Sequence, residues 1–220
     1  MKTLTKELQQ KLSPVQALDI LKKGNERFVN NLKANRNLLQ QVNDTSDGQF
    51  PFAFVLSCID SRTSAELIFD QGLGDIFSCR IAGNILNEDI MGSMEFACKV
   101  AGSKVVLVLG HTKCGAIKGA CDQVQLGHLT SLIDKIKPAI DITDPGSGPN
   151  DSSNTDYVEA VSVNNVKLIM KKILRSSDII AEMARKGEII IEGGMYDIET
   201  GIVEFFDTEP DDLAAAPLQC

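Results

Sequence analysis

A chain of 220 residues is long enough to bury a substantial core and fits one folding unit with appendages. With 43% apolar and 24% charged residues it has the make-up of an ordinary soluble globular protein, which excludes an intrinsically disordered or membrane-embedded chain. A formal charge of -8 argues against a nucleic-acid partner, since no cluster of Lys and Arg is available to replace counterions on phosphates.

The predicted elements begin at Ser13-Pro14, an N-cap followed by proline at the first helical position, after which Leu18, Leu21, Phe28 and Leu32 recur at helical spacing. This predicts an amphipathic helix from Pro14 to about Leu32. Residues 35–49 are polar and include Asn43-Asp44-Thr45-Ser46-Asp47-Gly48, so they are expected to form a linker loop. From Phe52 onward, short apolar runs alternate with helical stretches. The runs at 52–56, 76–81, 104–109 and 188–191 are near-continuous, as strands buried on both faces of a parallel sheet should be. Helices are expected at about 89–101, 115–121, 128–140, 156–174 and 177–186. Residues 193–197 and 201–206 bracket Ile198-Glu199-Thr200 and read as a hairpin-like return that adds an antiparallel edge strand. The whole predicts an α/β fold: four parallel strands plus that edge strand, helices on both faces and an N-terminal helical arm. The expected division is an arm and linker over 1–48, a catalytic domain over 49–210 and a tail over 211–220.

No apolar run reaches the roughly 20 residues that span a bilayer, and the first residues lack a signal-peptide core. A cytoplasmic location without membrane association is expected. In such a reducing compartment the six cysteines are metal ligands, catalysts or core residues rather than a disulfide framework.

Cys58 directly follows the first core strand, and His111-Thr112-Lys113-Cys114 directly follows the third. In open α/β sheets, functional groups gather beyond the carboxyl ends of strands, so these three can converge. Two thiolates and an imidazole form a borderline-soft donor set suited to Zn2+, with a fourth tetrahedral position left for water or substrate. Taken alone, His-x-x-Cys is weak evidence, because a buried cysteine beside a helix-capping histidine has the same spacing. Asp60 and Arg62 strengthen it, since a carboxylate two residues after a ligand can reach the metal or its water, and an arginine two further on can keep it ionised.

Cys58-Ile59-Asp60-Ser61-Arg62 together with His111-Thr112-Lys113-Cys114-Gly115 resembles the β-carbonic anhydrases, whose signature is Cys-x-Asp-x-Arg followed by His-x-x-Cys-Gly. The resemblance runs through Arg80-Ile81-Ala82-Gly83-Asn84, Ala116-Ile117-Lys118-Gly119, Val163-Asn164-Asn165-Val166 and Gly193-Gly194-Met195-Tyr196-Asp197, and covers about residues 15–207. It implies one zinc per chain, held by Cys58, His111 and Cys114, and reversible hydration of CO2 to bicarbonate by a zinc-activated water that the Asp60-Arg62 pair orients. It also implies that Gln49 and the Gly115 backbone N–H bind substrate. The subtype that closes its zinc with the aspartate has a tryptophan three residues before the first cysteine; Val55 stands there and the chain has no Trp, which favours the open-site, plant-like subtype. The family further implies a homodimer or homotetramer, with N-terminal helices lying across the partner.

His128, the one histidine besides His111, is read as structural or idle in preference to a proton shuttle. Rival readings are a hydrolase of carbon disulfide or carbonyl sulfide and a catalytically silent zinc or bicarbonate-binding protein. A nucleoside-type deaminase is excluded by the lack of His-x-Glu and Pro-Cys-x-x-Cys.

Overall fold

The computed structural model describes residues 3–208; Cys220 and the tail expected over 211–220 lie outside them. In chain order the elements are α1 (Lys6–Lys11), α2 (Pro14–Val29), α3 (Leu38–Asp44), β1 (Ala53–Ser57), α4 (Ala65–Ile68), β2 (Ile76–Arg80), α5 (Glu88–Glu95), β3 (Val105–His111), α6 (Gly115–Cys121), α7 (Gly127–Ile133), α8 (Lys137–Asp141), α9 (Thr155–Ser176), α10 (Asp178–Arg185), β4 (Ile190–Tyr196) and β5 (Val203–Phe205). A 3-10 turn, Ala82–Asn84, precedes α5, and α5 runs on as a π turn over Phe96–Val100.

The sheet order is β2-β1-β3-β4-β5, with the first four strands parallel and β5 antiparallel to β4. This is the expected α/β architecture. One face packs Phe54, Leu56, Val106 and Val108 against residues of α5, α9 and α10. The other packs Val55, Val105 and Leu107 against Ala17 and Leu21 of α2 and Ile68 of α4. Both faces are covered, so β1 and β3 are buried throughout, as their unbroken apolar runs require.

Several boundaries differ from expectation. Residues 35–49 are not a free linker, because Asn37 caps α3 by accepting the Gln40 N–H, and the buried Gln41 of that helix accepts the Leu73 N–H. The run at 188–191 and the segment 193–197 prove to be one strand, β4, which carries Gly193 and Gly194 in its interior. A Cβ on Gly193 would lie 2.6 Å from Met170 Sδ, so the glycine marks close helix packing inside the strand. Helix 128–140 divides into α7, a 3-10 turn and α8.

The arm lies against its own chain. Ser13 and Gln16 form a reciprocal capping box at the start of α2. A Cβ on Gly24 would stand 1.9 Å from the Phe69 carbonyl oxygen, so glycine alone lets α2 approach the end of α4 this closely. Asn25, buried in the same contact, donates to the carbonyls of Ile68 and Gly201 and accepts the Val203 N–H, which protects the β5 edge. Beside it, Arg27 Nε and Arg36 Nη1 each donate to Asp70 at 2.5 Å, and Ala34 N–H adds a third donor.

The Asp70 side chain is 4% exposed. Burial pushes its pKa up, but the two guanidinium groups and Ala34 outweigh that and hold it below the usual carboxylate range. Its stabilisation is therefore complete above the unfolded carboxylate pKa and lost as the pH falls through the folded one. Asp70→Asn, which leaves two partly buried cations without their counter-charge, is expected to cost about 3 kcal/mol at neutral pH. In urea titrations the gap from wild type should narrow in acid; equal midpoints at neutral pH would refute this role.

Glu192 presents the opposite case. It is buried in mid-strand, where Gly193 N–H and Thr208 Oγ1 donate to one carboxylate oxygen, and burial raises its pKa. A raised carboxyl binds its proton more tightly when folded, so its ionisation costs stability above the unfolded pKa. Glu192→Gln is expected to raise the urea midpoint at pH 8 and to leave it unchanged in mild acid; a lowered midpoint at pH 8 would contradict this.

Candidate metal centre

Because β1 and β3 are parallel neighbours in register, with Ser57 opposite Leu109, Cys58 leaves the sheet at the level where β3 reaches Gly110 and His111. The ligand-type atoms of Cys58, His111 and Cys114 lie within 4.8 Å of one another. All three are buried, at 4%, 2% and 1% exposure. Ile85, Ile117, Ile133 and Ile136 surround the sulfurs and dry the site on its inner side.

The donor set fits a zinc ion on three counts. The two sulfurs are 3.9 Å apart, close to the roughly 3.8 Å that two Zn–S bonds of about 2.3 Å subtend at a tetrahedral angle. His111 Nδ1–H donates to the Thr112 carbonyl at 2.9 Å, which leaves the lone pair on Nε2. That Nε2 is buried and has no hydrogen-bond partner among the described residues, a costly state that a metal bond would relieve.

The hydrogen bond between the two sulfurs holds the Cys58 thiol below its ordinary range, with burial opposing and the backbone N–H of Gly83 assisting. Cys114 is pushed up by the same hydrogen bond and by burial. A divalent cation held by both sulfurs would take them as thiolates, so its binding would release protons.

The turn after Cys58 presents Asp60. Arg62 grips it with Nε at 2.9 Å from Oδ1, Nη2 at 2.7 Å from Oδ2 and its backbone N–H at 3.0 Å from Oδ1. This bidentate pair holds the carboxyl well below the usual carboxylate range. The turn is itself braced, since Thr63 Oγ1 donates to the carbonyls of Cys58 and Asp60. Arg80, at the end of β2, donates from Nε to the Cys58 carbonyl at 3.0 Å and from Nη2 to that of Asp60. On the other side, Lys113 adopts a left-handed φ of 56° and gives its N–H to Glu159 at 2.8 Å. Cys114 then caps α6, and Gly115 opens the helix with open space around its Cα.

Gln49 is not brought to this cluster within one chain. Pro51, two residues on, accepts from Gln9 and Ser103 at the amino end of β1, whereas Cys58 follows the carboxyl end, about 17 Å further along at strand rise. His128 is exposed on α7. Of the other cysteines, Cys98 and Cys121 are buried, and burial pushes their thiols up to about 12 and about 11, as expected of core residues. Arg80 and Gly83, which faces Cys58 from below, had been given no role from sequence; their signal was position, at the end of the strand beside β1.

The family model for carbonic anhydrase matches residues 53–203. Carbonic anhydrase 2 of Mycobacterium tuberculosis is 33% identical over 198 residues, which cover 86% of this chain and 91% of that protein. Among solved structures, the β-carbonic anhydrase CafA of Aspergillus fumigatus superposes with a TM-score of 0.70 at 25% identity, covering 80% of this chain and 85% of that one. One of two tetrameric β-carbonic anhydrases of Sordaria macrospora shares the fold, with a TM-score of 0.65 at 22% identity over 77% of this chain and 90% of that one.

Proposed function

This chain belongs to the β-class carbonic anhydrases, zinc enzymes that hydrate carbon dioxide, and on that footing we propose that Cys58, His111 and Cys114 hold its zinc, one ion per chain, while Asp60, Arg62, Gly115 and Gln49 serve the substrate. The observation that carries this reading is the convergence of two buried sulfurs and an unpartnered Nε2 within 4.8 Å. When bound, zinc supplies Lewis acidity that generates a nucleophile from water near neutral pH. Asp60 accepts the hydrogen bond that aims this nucleophile, and Arg62 occupies both carboxylate oxygens so that Asp60 stays ionised and stays off the metal. That supports the open-site subtype. The N–H of Gly115, at the start of α6, donates to the oxygen on which negative charge develops.

Gln49 can take part only from a second copy, because in its own chain β1 separates it from Cys58. A homodimer or homotetramer is therefore proposed; one of the tetrameric Sordaria macrospora enzymes shares this fold. The proposed functional division is an arm over 1–48 and a catalytic unit over 49–210. No helix among the described residues is long and apolar enough to cross a membrane, and the described cysteines are all free thiols, which supports a reducing, cytoplasmic setting.

The test is to strip the metal and restore it while following CO2 hydration by stopped flow and sulfide release from carbon disulfide and carbonyl sulfide. Hydration that vanishes and returns with one zinc equivalent supports the proposal. Zinc-dependent sulfide release without CO2 hydration would overturn it.

A further inference from the structure

The connection from β2 to α5 passes directly beneath the Cys58 sulfur. Ile81 N–H donates to the Ser57 carbonyl at 3.0 Å, and two residues later Gly83 N–H points at Cys58 Sγ at 3.4 Å. Gly83 is left-handed, at φ 66°. A Cβ there would stand 2.8 Å from Ile136 Cδ1 and 3.3 Å from Ala116 Cβ, so both the turn and the space demand glycine. The carbonyl of Gly83 accepts Asn165 Nδ2 at 2.9 Å. Asn165 is 2% exposed, on the buried face of α9 between Ser162 and Ile169.

A buried amide is retained only where it finds a partner, and this one finds the residue whose N–H faces a metal-site sulfur. We infer that Asn165 is a positioning residue for the zinc site: by holding the Gly83 carbonyl it locks the left-handed turn that aims the Gly83 N–H at the Cys58 sulfur. An N–H donor draws charge from a thiolate, so the sulfur donates less to the metal and the metal stays more electrophilic. Two thiolates otherwise cancel the charge of a divalent cation, which gives such a donor a purpose in a hydrating site. The inference rests on the zinc assignment proposed above.

Two experiments test it on the intact, metal-loaded protein. In 15N-labelled wild type loaded with 113Cd, the Gly83 amide proton is expected to show scalar coupling to the metal through the N–H to sulfur hydrogen bond. Its absence would overturn the inference whatever the fate of any variant. In cobalt-loaded Asn165→Leu, which keeps the branched shape and removes the donor, the thiolate-to-cobalt charge-transfer band is expected at lower energy than in wild type. Ile169→Ala, a packing change on the same helix face, should lower stability and leave the band in place. A folded Asn165→Leu with the wild-type band would overturn the inference. Wild type that takes up none of these metals would overturn the zinc assignment itself, a failure distinct from the other two.

Discussion

Cys58→Ser is expected to fold and to purify without zinc, with CO2 hydration at the uncatalysed background. Serine matches the cysteine in shape, but its hydroxyl does not ionise near neutral pH, so the site would retain one thiolate, Cys114, and the imidazole of His111. The loss should exceed the 10- to 100-fold that follows removal of an outer hydrogen-bond partner, because a direct donor is gone. Elemental analysis and stopped-flow hydration read the two effects, and a urea titration without metal shows whether the fold survives. Wild-type zinc content in Cys58→Ser would remove Cys58 from the ligand set.

Asp60→Asn separates catalysis from metal binding. The amide keeps the size of the carboxylate and one acceptor, but it turns an N–H donor toward Arg62 Nη2, where the wild type has Oδ2 at 2.7 Å. Zinc should be retained at one per chain, since no metal donor is removed. Hydration is expected to fall about 10²- to 10³-fold, the loss associated with removing one oriented polar group from a reacting centre. The fall should lie in kcat, because the proposed contact is made with the nucleophile and not with CO2 at rest. Loss of zinc in this variant would instead mark Asp60 as a ligand, and full activity would deny it a role.

The metal cluster was legible because its parts stand at strand ends. Cys58 and His111 are 53 residues apart, yet both follow apolar runs that could only be buried parallel strands, and the β1-β3 pairing then puts them side by side. Elements stabilised from a distance were harder to read. The six residues of α1 and the seven of α3 bury no apolar face within the chain; they hold through Gln9, which donates to the carbonyls of Pro51 and Ala101, and through Gln41 at Leu73. Gly193-Gly194 was placed in the segment 193–197, separate from the run at 188–191; in the structure the two belong to β4, where the missing side chain of Gly193 lets Met170 and Phe206 come close. Gln49 shows the other limit: sequence places it nine residues before Cys58, and only the length and direction of β1 reveal that these nine residues lead to opposite ends of the sheet.

The support around the cluster was marked by the resemblance and by strand-end position, but its contacts were not legible. Arg80, Gly83 and Asn165 come from β2, a 3-10 turn and α9, and each contact runs through a backbone group: the Cys58 carbonyl, the Gly83 N–H and the Gly83 carbonyl. Such contacts leave no spacing rule, because the partner atom is a carbonyl or an N–H that every residue possesses.

The most direct test of the zinc assignment is X-ray absorption at the zinc edge of the protein as purified. Two sulfurs at about 2.3 Å and two lighter atoms at about 2.0–2.1 Å, one of them with the outer-shell scattering of an imidazole, are expected of Cys58, Cys114, His111 and one exchangeable position. A shell with four sulfurs, or with none, would contradict it.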